Sequence, residues 1–84
     1  MKPLTKETMS RKVDRMVNKL MKDQLDALCR RIDRIESNPS LMDDLNATVE
    51  LEALKTLANA RLEDWKEFRT QIGLGNDLLP EKIS

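Results

Sequence analysis

The fold is decided by the stretch Ser37-Asn38-Pro39-Ser40, which lies near the middle of the 84-residue chain. Proline cannot continue an α-helix, and it pushes the residue before it out of the helical region. The second helix has two candidate N-caps. Either Asn38 is the N-cap with Pro39 at the first helical position, or Ser40 is the N-cap with Asp43 three residues later. The stretch therefore predicts a turn between two helices, at residues 37–40.

The residues before this turn predict one long amphipathic helix over about residues 5–36, with Thr5 as its N-cap. Apolar residues recur there at steps of three and four, in two seams that are displaced sideways between Leu20 and Met21. A strict heptad would not be displaced, so a broad face that packs against more than one neighbour fits better than a single long zipper. The first seam holds Met9, Val13, Met16 and Leu20, and the second holds Met21, Leu25, Leu28, Ile32 and Ile35.

The residues after the turn predict a second helix over about residues 40–72. Arg61 interrupts its apolar seam, and Leu62 beside it takes the apolar place. Gly73 suits the position that ends a helix, and the tail at 73–84 either forms a short turn capped by Asn76 or stays loose. The seam consists of Leu51, Leu54, Ala58, Trp65, Phe68 and Ile72.

Charge supports an antiparallel pairing of the two helices. Residues 1–34 hold ten Lys and Arg against five acids, a net of +5, and residues 35–84 hold five against ten, a net of −5. A short turn brings the basic helix beside the acidic one. We expect a single all-α domain over residues 1–84, an antiparallel two-helix hairpin. Because two helices make a thin core, we also expect a homodimer that forms a four-helix bundle, or docking on another protein.

The amino-acid composition limits the functions and the cellular locations that we expect. The chain has no His and a single cysteine, Cys29, so we expect no catalytic residues, no metal site, no cofactor and no small-molecule substrate. Cys29 is either a small residue at the edge of the apolar stripe or, beside Arg30, a thiol of lowered pKa; we favour the first. No apolar stretch suggests a signal peptide or a membrane span, so we expect a cytoplasmic protein.

Two sets of residues are candidates for binding. The first is the basic face of the first helix, which is either solvated and paired within the helix or a contact for nucleic acid or an acidic partner. The second is Trp65 and Phe68 with Arg61; the two aromatic residues either anchor the core or contact a partner. The basic face holds Arg11, Lys12, Arg15, Lys19 and Lys22.

Three short stretches resemble known families. The pattern Leu25-x-x-Leu28-x-x-x-Ile32-Asp33-x-Ile35 is similar to the opening of helical chorismate mutases, but that family's further basic catalytic residues have no matching pattern after the central proline. The segment at 2–6 resembles the start of haemolysin-expression-modulating proteins. The segment at 61–79 resembles the end of the dimerisation region of histone-like nucleoid-structuring proteins. The last two resemblances favour a regulatory role.

The sequence as a whole predicts a non-enzymatic protein–protein interaction module. We expect a small cytoplasmic regulator, adaptor or chaperone that acts through a dimeric helical hairpin. The alternative is a nucleic-acid-associated regulator that uses the basic face of the first helix.

Overall fold

The computed structural model describes residues 6–41 and 43–83, and this part of the chain is all-helical, without strands. Helix α1 spans Lys6–Glu36 and helix α2 spans Leu45–Gln71, with a single 3-10 turn at Pro39–Leu41 between them. The N-cap predicted at Thr5 lies outside the described residues. The two long helices predicted on either side of the proline are confirmed.

The two helices run antiparallel and pack against each other along the second seam of α1. Trp65 Nε1 donates a hydrogen bond to Asn18 Oδ1 over 2.8 Å. Far from that contact, the Arg31 guanidinium binds the Glu50 carboxylate. These two contacts fix the antiparallel register. The buried cluster comprises Leu25, Ile32, Ala58, Leu62 and Trp65, with Met21, Leu28, Cys29, Leu51 and Leu54 packed on it.

The start of α2 differs from the prediction. The Asn38 side chain accepts hydrogen bonds from the Ser40 amide at 3.2 Å and from the Ser40 hydroxyl at 2.7 Å. This local turn continues into the 3-10 turn, so neither Asn38 nor Ser40 caps α2. Asp44 does so instead, because its side chain accepts from the Asn46 amide at 2.9 Å. The helix therefore begins at Leu45 rather than near residue 40, and both predicted N-caps are wrong.

Helix α2 ends just before Gly73, as that glycine predicts. Gly73 has a φ of +84°, which L-residues with a Cβ rarely adopt. The Leu74 amide donates to the Arg69 carbonyl at 2.8 Å, and the Gly73 amide donates to the Thr70 carbonyl at 3.1 Å. These two bonds are the Schellman pattern, which satisfies carbonyls that the last turn would leave unpaired.

The tail after Gly73 turns back along α2. Ile83 exchanges two hydrogen bonds of 2.8 Å with the Asn59 side chain, one from its amide and one to its carbonyl. Asn76 donates to the Lys66 carbonyl at 3.0 Å, and Leu79 packs against the buried cluster. Of the two alternatives for the tail, the loose one is therefore wrong, because the tail is bonded to α2 and packs against the buried cluster.

The resulting molecule is a rod with extents of 60 × 25 × 17 Å. No helix in the described part of the chain is both long enough and apolar enough to cross a membrane.

Candidate interaction surface

The first seam of α1 is exposed over its full length. Met9, Val13, Met16 and Leu20 retain 55%, 53%, 54% and 51% of their accessible surface. We call these four residues the α1 stripe. Apolar side chains spaced at four, three and four residues form a continuous strip along a helix, about 17 Å long at 1.5 Å per residue. Isolated exposed apolar residues are ordinary, but a contiguous strip is typical of an interaction site.

The cause of this exposure is the displacement between the two seams. At 100° per residue, the mean direction of the α1 stripe is about 110° around the helix from that of the second seam. A single partner helix covers only one of these directions, and α2 covers the second seam. The two displaced seams predict more than one neighbour for α1, but they do not indicate which seam lacks one.

Basic side chains border the α1 stripe. Lys12 and Lys19 are each three residues after a stripe methionine, which makes them its neighbours on the helix surface. Asp14 is the one acid between residues 8 and 22, and it is half-buried towards Ile72 and Leu74. That edge of the stripe carries Lys12 and Lys19, and the exposed Asp23 borders it at its C-terminal end, three residues after Leu20. All five residues of the predicted basic face (Arg11, Lys12, Arg15, Lys19 and Lys22) are exposed, within an arc of about 100°.

A second exposed apolar stripe, which was not among the predicted binding residues, lies on α2. Leu45, Val49 and Leu57 retain 76%, 60% and 43% of their surface. Ala53 between them is also exposed. We call these four residues the α2 stripe. Val49 is nine residues from the fully buried Ala58, which is about 180° around the helix. The signal was present in the sequence, since none of the three larger side chains belongs to the Leu51–Ile72 seam.

The predicted aromatic contacts are divided between core and edge. Trp65 is buried, with 6% of its surface exposed, and the Arg69 guanidinium lies 5.3 Å from the centre of its ring. Phe68 is half-buried and Arg61 is exposed. Trp65 thus occupies the core position that its seam predicted, and a partner-binding role for these three residues stays a prediction.

Cys29 is half-buried on the core side of α1. Burial raises the pKa of its thiol, and the nearby carboxylates of Asp26 and Asp33 raise it further. The alternative of a pKa lowered by Arg30 is therefore wrong, because desolvation and two negative charges both oppose the thiolate.

Two further features of the described residues concern their polar side chains. No three His, Cys, Asp or Glu side chains among them are placed to hold a metal ion. An open surface depression is lined by Arg30, Arg31 and Arg34 with Glu50, which already binds Arg31.

Comparison with known proteins identifies no relative of this chain. No protein-family model matches the chain, and no curated protein or solved structure matches it.

Proposed function

We propose that this chain is a non-enzymatic protein-interaction module that acts as a small cytoplasmic regulator, adaptor or chaperone. Its working form is a dimer of hairpins, which closes a four-helix bundle. The observation that carries this proposal is the α1 stripe, four half-exposed apolar side chains in an unbroken strip on the same helix that supplies the core.

The free energy available from the α1 stripe is appreciable but limited. Full burial of a side chain of this kind contributes roughly 1.5–3 kcal/mol, so covering the exposed half of each gives about 1 kcal/mol. The four together reach about 4 kcal/mol as an upper value. Association itself costs roughly 4–15 kcal/mol, so a stable complex must bury more than this one stripe.

The chemistry of the stripe suits a partner helix. A strip at four- and three-residue spacing is complementary to the apolar face of another amphipathic helix. Met9 and Met16 are unbranched and flexible, so they adapt to more than one partner shape. This adaptability fits an adaptor or a chaperone better than it fits an enzyme.

The test is affinity capture from cells that express the protein at its natural level. We compare the native chain with a Val13→Glu, Met16→Glu variant, which carries two charges in the stripe. The control variant, Ser37→Glu with Gln71→Glu, adds the same charge at exposed positions outside both stripes. We expect the native chain and the control to retain their partners, a second copy included, and the stripe variant to lose them. Capture that is the same for all three would contradict the proposal.

The exposed basic face favours a second candidate, a nucleic-acid-associated regulator. Binding through phosphates weakens steeply as salt rises, because neutralised phosphates release counterions. A duplex-DNA titration at about 50 and 200 mM salt tests it, with Arg11, Arg15 and Lys19 changed to Glu as the variant. A steep salt slope that the variant lacks would support this candidate, and absence of binding at the lower salt would eliminate it.

A further inference from the structure

We infer that the α1 stripe and the arginine-lined depression beyond it form one continuous site, which binds an acidic amphipathic helix of another protein. The inference rests on the proposed function and names the chemistry of the partner. It depends on the alignment of the two features along α1, on the charges beside them, and on guanidinium groups that have no partner.

The depression lies on the same side of α1 as the α1 stripe. Ala27, Arg31 and Arg34 follow the last residue of the stripe at steps of seven, four and three residues, and all three are exposed. These steps continue the spacing of the stripe. At 100° per residue, Arg31 is directly in line with Val13, because 18 residues make five full turns. The stripe and the depression therefore form one site on α1 that is about 38 Å long, over residues 9–34.

This side of α1 has an excess of positive charge. Within about 90° of the direction of the stripe, residues 8–36 carry five basic side chains and one acid, Asp23. The half-buried Asp26 lies just outside that arc, at about 110°. Glu50 of α2 adds one carboxylate, which Arg31 already binds. A partner with acidic side chains is therefore complementary in charge. The five basic residues are Lys12, Lys19, Arg30, Arg31 and Arg34.

Two of the three guanidinium groups at the depression have no partner in the described part of the chain. Arg31 donates from Nε to Glu50 Oε1 over 3.0 Å, and its Nη2 binds the same oxygen. Arg30 and Arg34 are exposed and about one helical turn apart, and their side chains make no ion pair or hydrogen bond with another described residue. Each guanidinium has paired N–H donors that match a carboxylate. Two carboxylates one turn apart on a partner helix can therefore bind both.

The apolar part of the site favours a helix over a nucleic acid. A phosphate backbone has no apolar surface to cover the stripe, whereas an amphipathic helix has such a face. Ala27 and Ile35 line the depression beside the arginines, so the methylene groups of a glutamate can cover them. The partner helix is therefore apolar in one half and carries glutamates in the other. Because a second copy also covers the stripe under the proposed function, the helix and the copy compete for it.

The direct test is fluorescence anisotropy with labelled synthetic helical peptides, at a dilution where the chain is monomeric. Each peptide has leucines at four- and three-residue spacing in one half and glutamates at the same spacing in the other. Both orders are prepared, because a partner helix can run in either direction along α1. Control peptides carry lysine in place of glutamate. We expect one glutamate peptide to bind at least roughly tenfold more tightly than its lysine control. Equal binding of the two would overturn the inference.

Two variants of the chain locate the contact. Arg30→Gln with Arg34→Gln removes the two unpaired guanidinium groups and leaves the ion pair to α2 in place. It should weaken binding of the glutamate peptide by roughly tenfold. The control, Arg15→Gln with Lys22→Gln, removes the same charge at exposed positions on another side of α1. It should weaken binding by less than about twofold, since screening by salt limits the effect of distant charges. Equal effects of the two variants would contradict the inference.

Two further outcomes separate this inference from the other proposals. The Val13→Glu, Met16→Glu variant should also lose the glutamate peptide, because the apolar half of the peptide then has no surface to cover. If duplex DNA binds instead of the glutamate peptide, and Arg30→Gln with Arg34→Gln abolishes that binding, the depression is a nucleic-acid contact and the inference is overturned. If no glutamate peptide binds but the stripe still captures its partners from cells, this inference fails while the proposed function stands.

Discussion

The two halves of α1 have similar apolar content but different surroundings. From Met21 to Ile35 the apolar residues pack against α2, and Leu25 and Ile32 retain 5% and 2% of their surface. From Met9 to Leu20 they remain about half exposed. The difference arises from direction and not from hydrophobicity, because the seam turns away from α2 where Leu20 meets Met21. A helix with two seams needs two neighbours to bury both, and the described part of this chain provides one, α2.

The largest expected difference is in the free energy of unfolding, when one leucine in each half of α1 is truncated to alanine. Leu25→Ala removes a buried side chain and should lower the free energy of unfolding by about 2–5 kcal/mol. Leu20→Ala removes a half-exposed one from the same helix, and for the monomer it should change stability by no more than about 0.5 kcal/mol. Urea denaturation followed by circular dichroism, at a dilution where the chain is monomeric, measures both. Equal losses would show that the two halves are packed alike.

A smaller effect is expected where the two halves meet. Asn18 accepts the hydrogen bond from the Trp65 indole, on the half-buried side of α1. Asn18→Ala leaves that indole N–H without its acceptor and should cost about 1–2 kcal/mol. Asn18→Asp keeps an acceptor oxygen and serves as the matched control. Thermal unfolding and Trp65 emission report on both variants. An Ala variant as stable as the Asp variant would mean that the bond does not hold the helices in register.

The smallest effect is expected in the pH dependence of alkylation, compared between a thiol in each half of α1. Cys29 has a raised pKa in the folded chain, so its thiol is stabilised in the protonated form. That contribution is present below the pKa of the unfolded thiol and is lost as pH rises through the folded value. Alkylation by iodoacetamide should therefore need a higher pH for Cys29 than for an exposed Ser10→Cys in a Cys29→Ser chain. Coincident pH profiles would contradict the burial of the C-terminal half.

Local signals in the sequence predicted the parts of the fold that depend on nearby residues. Pro39 predicted the break, Gly73 predicted the end of α2, and the three- and four-residue spacing predicted both helices. The start of α2 was missed because Asn38 and Ser40 satisfy each other in a turn, which spacing alone does not distinguish from a cap. The sequence does not predict whether the tail docks, because docking depends on a contact between Asn59 and Ile83, 24 residues apart.

The candidate surface was predictable only in part. The sequence showed two seams on α1 and the basic residues beside them, but not which seam α2 would cover. That choice depends on the register between the helices, which contacts such as Asn18–Trp65 and Arg31–Glu50 determine. The seam from Leu51 to Ile72 predicts the core face of α2 but says nothing of Leu45 and Val49, which lie before it on another side of the helix.

Oxidation of methionines tests most directly whether the N-terminal half of α1 is left uncovered by its own chain. Met9 and Met16 lie in the α1 stripe, while Met21 is half-buried against the core of the same helix. Dilute hydrogen peroxide followed by mass spectrometry should oxidise Met9 and Met16 several times faster than Met21 in monomeric samples. In concentrated samples the two fast sites should become protected as copies associate. If Met16 in the dilute monomer reacts as slowly as Met21, the stripe is already covered and the account is contradicted.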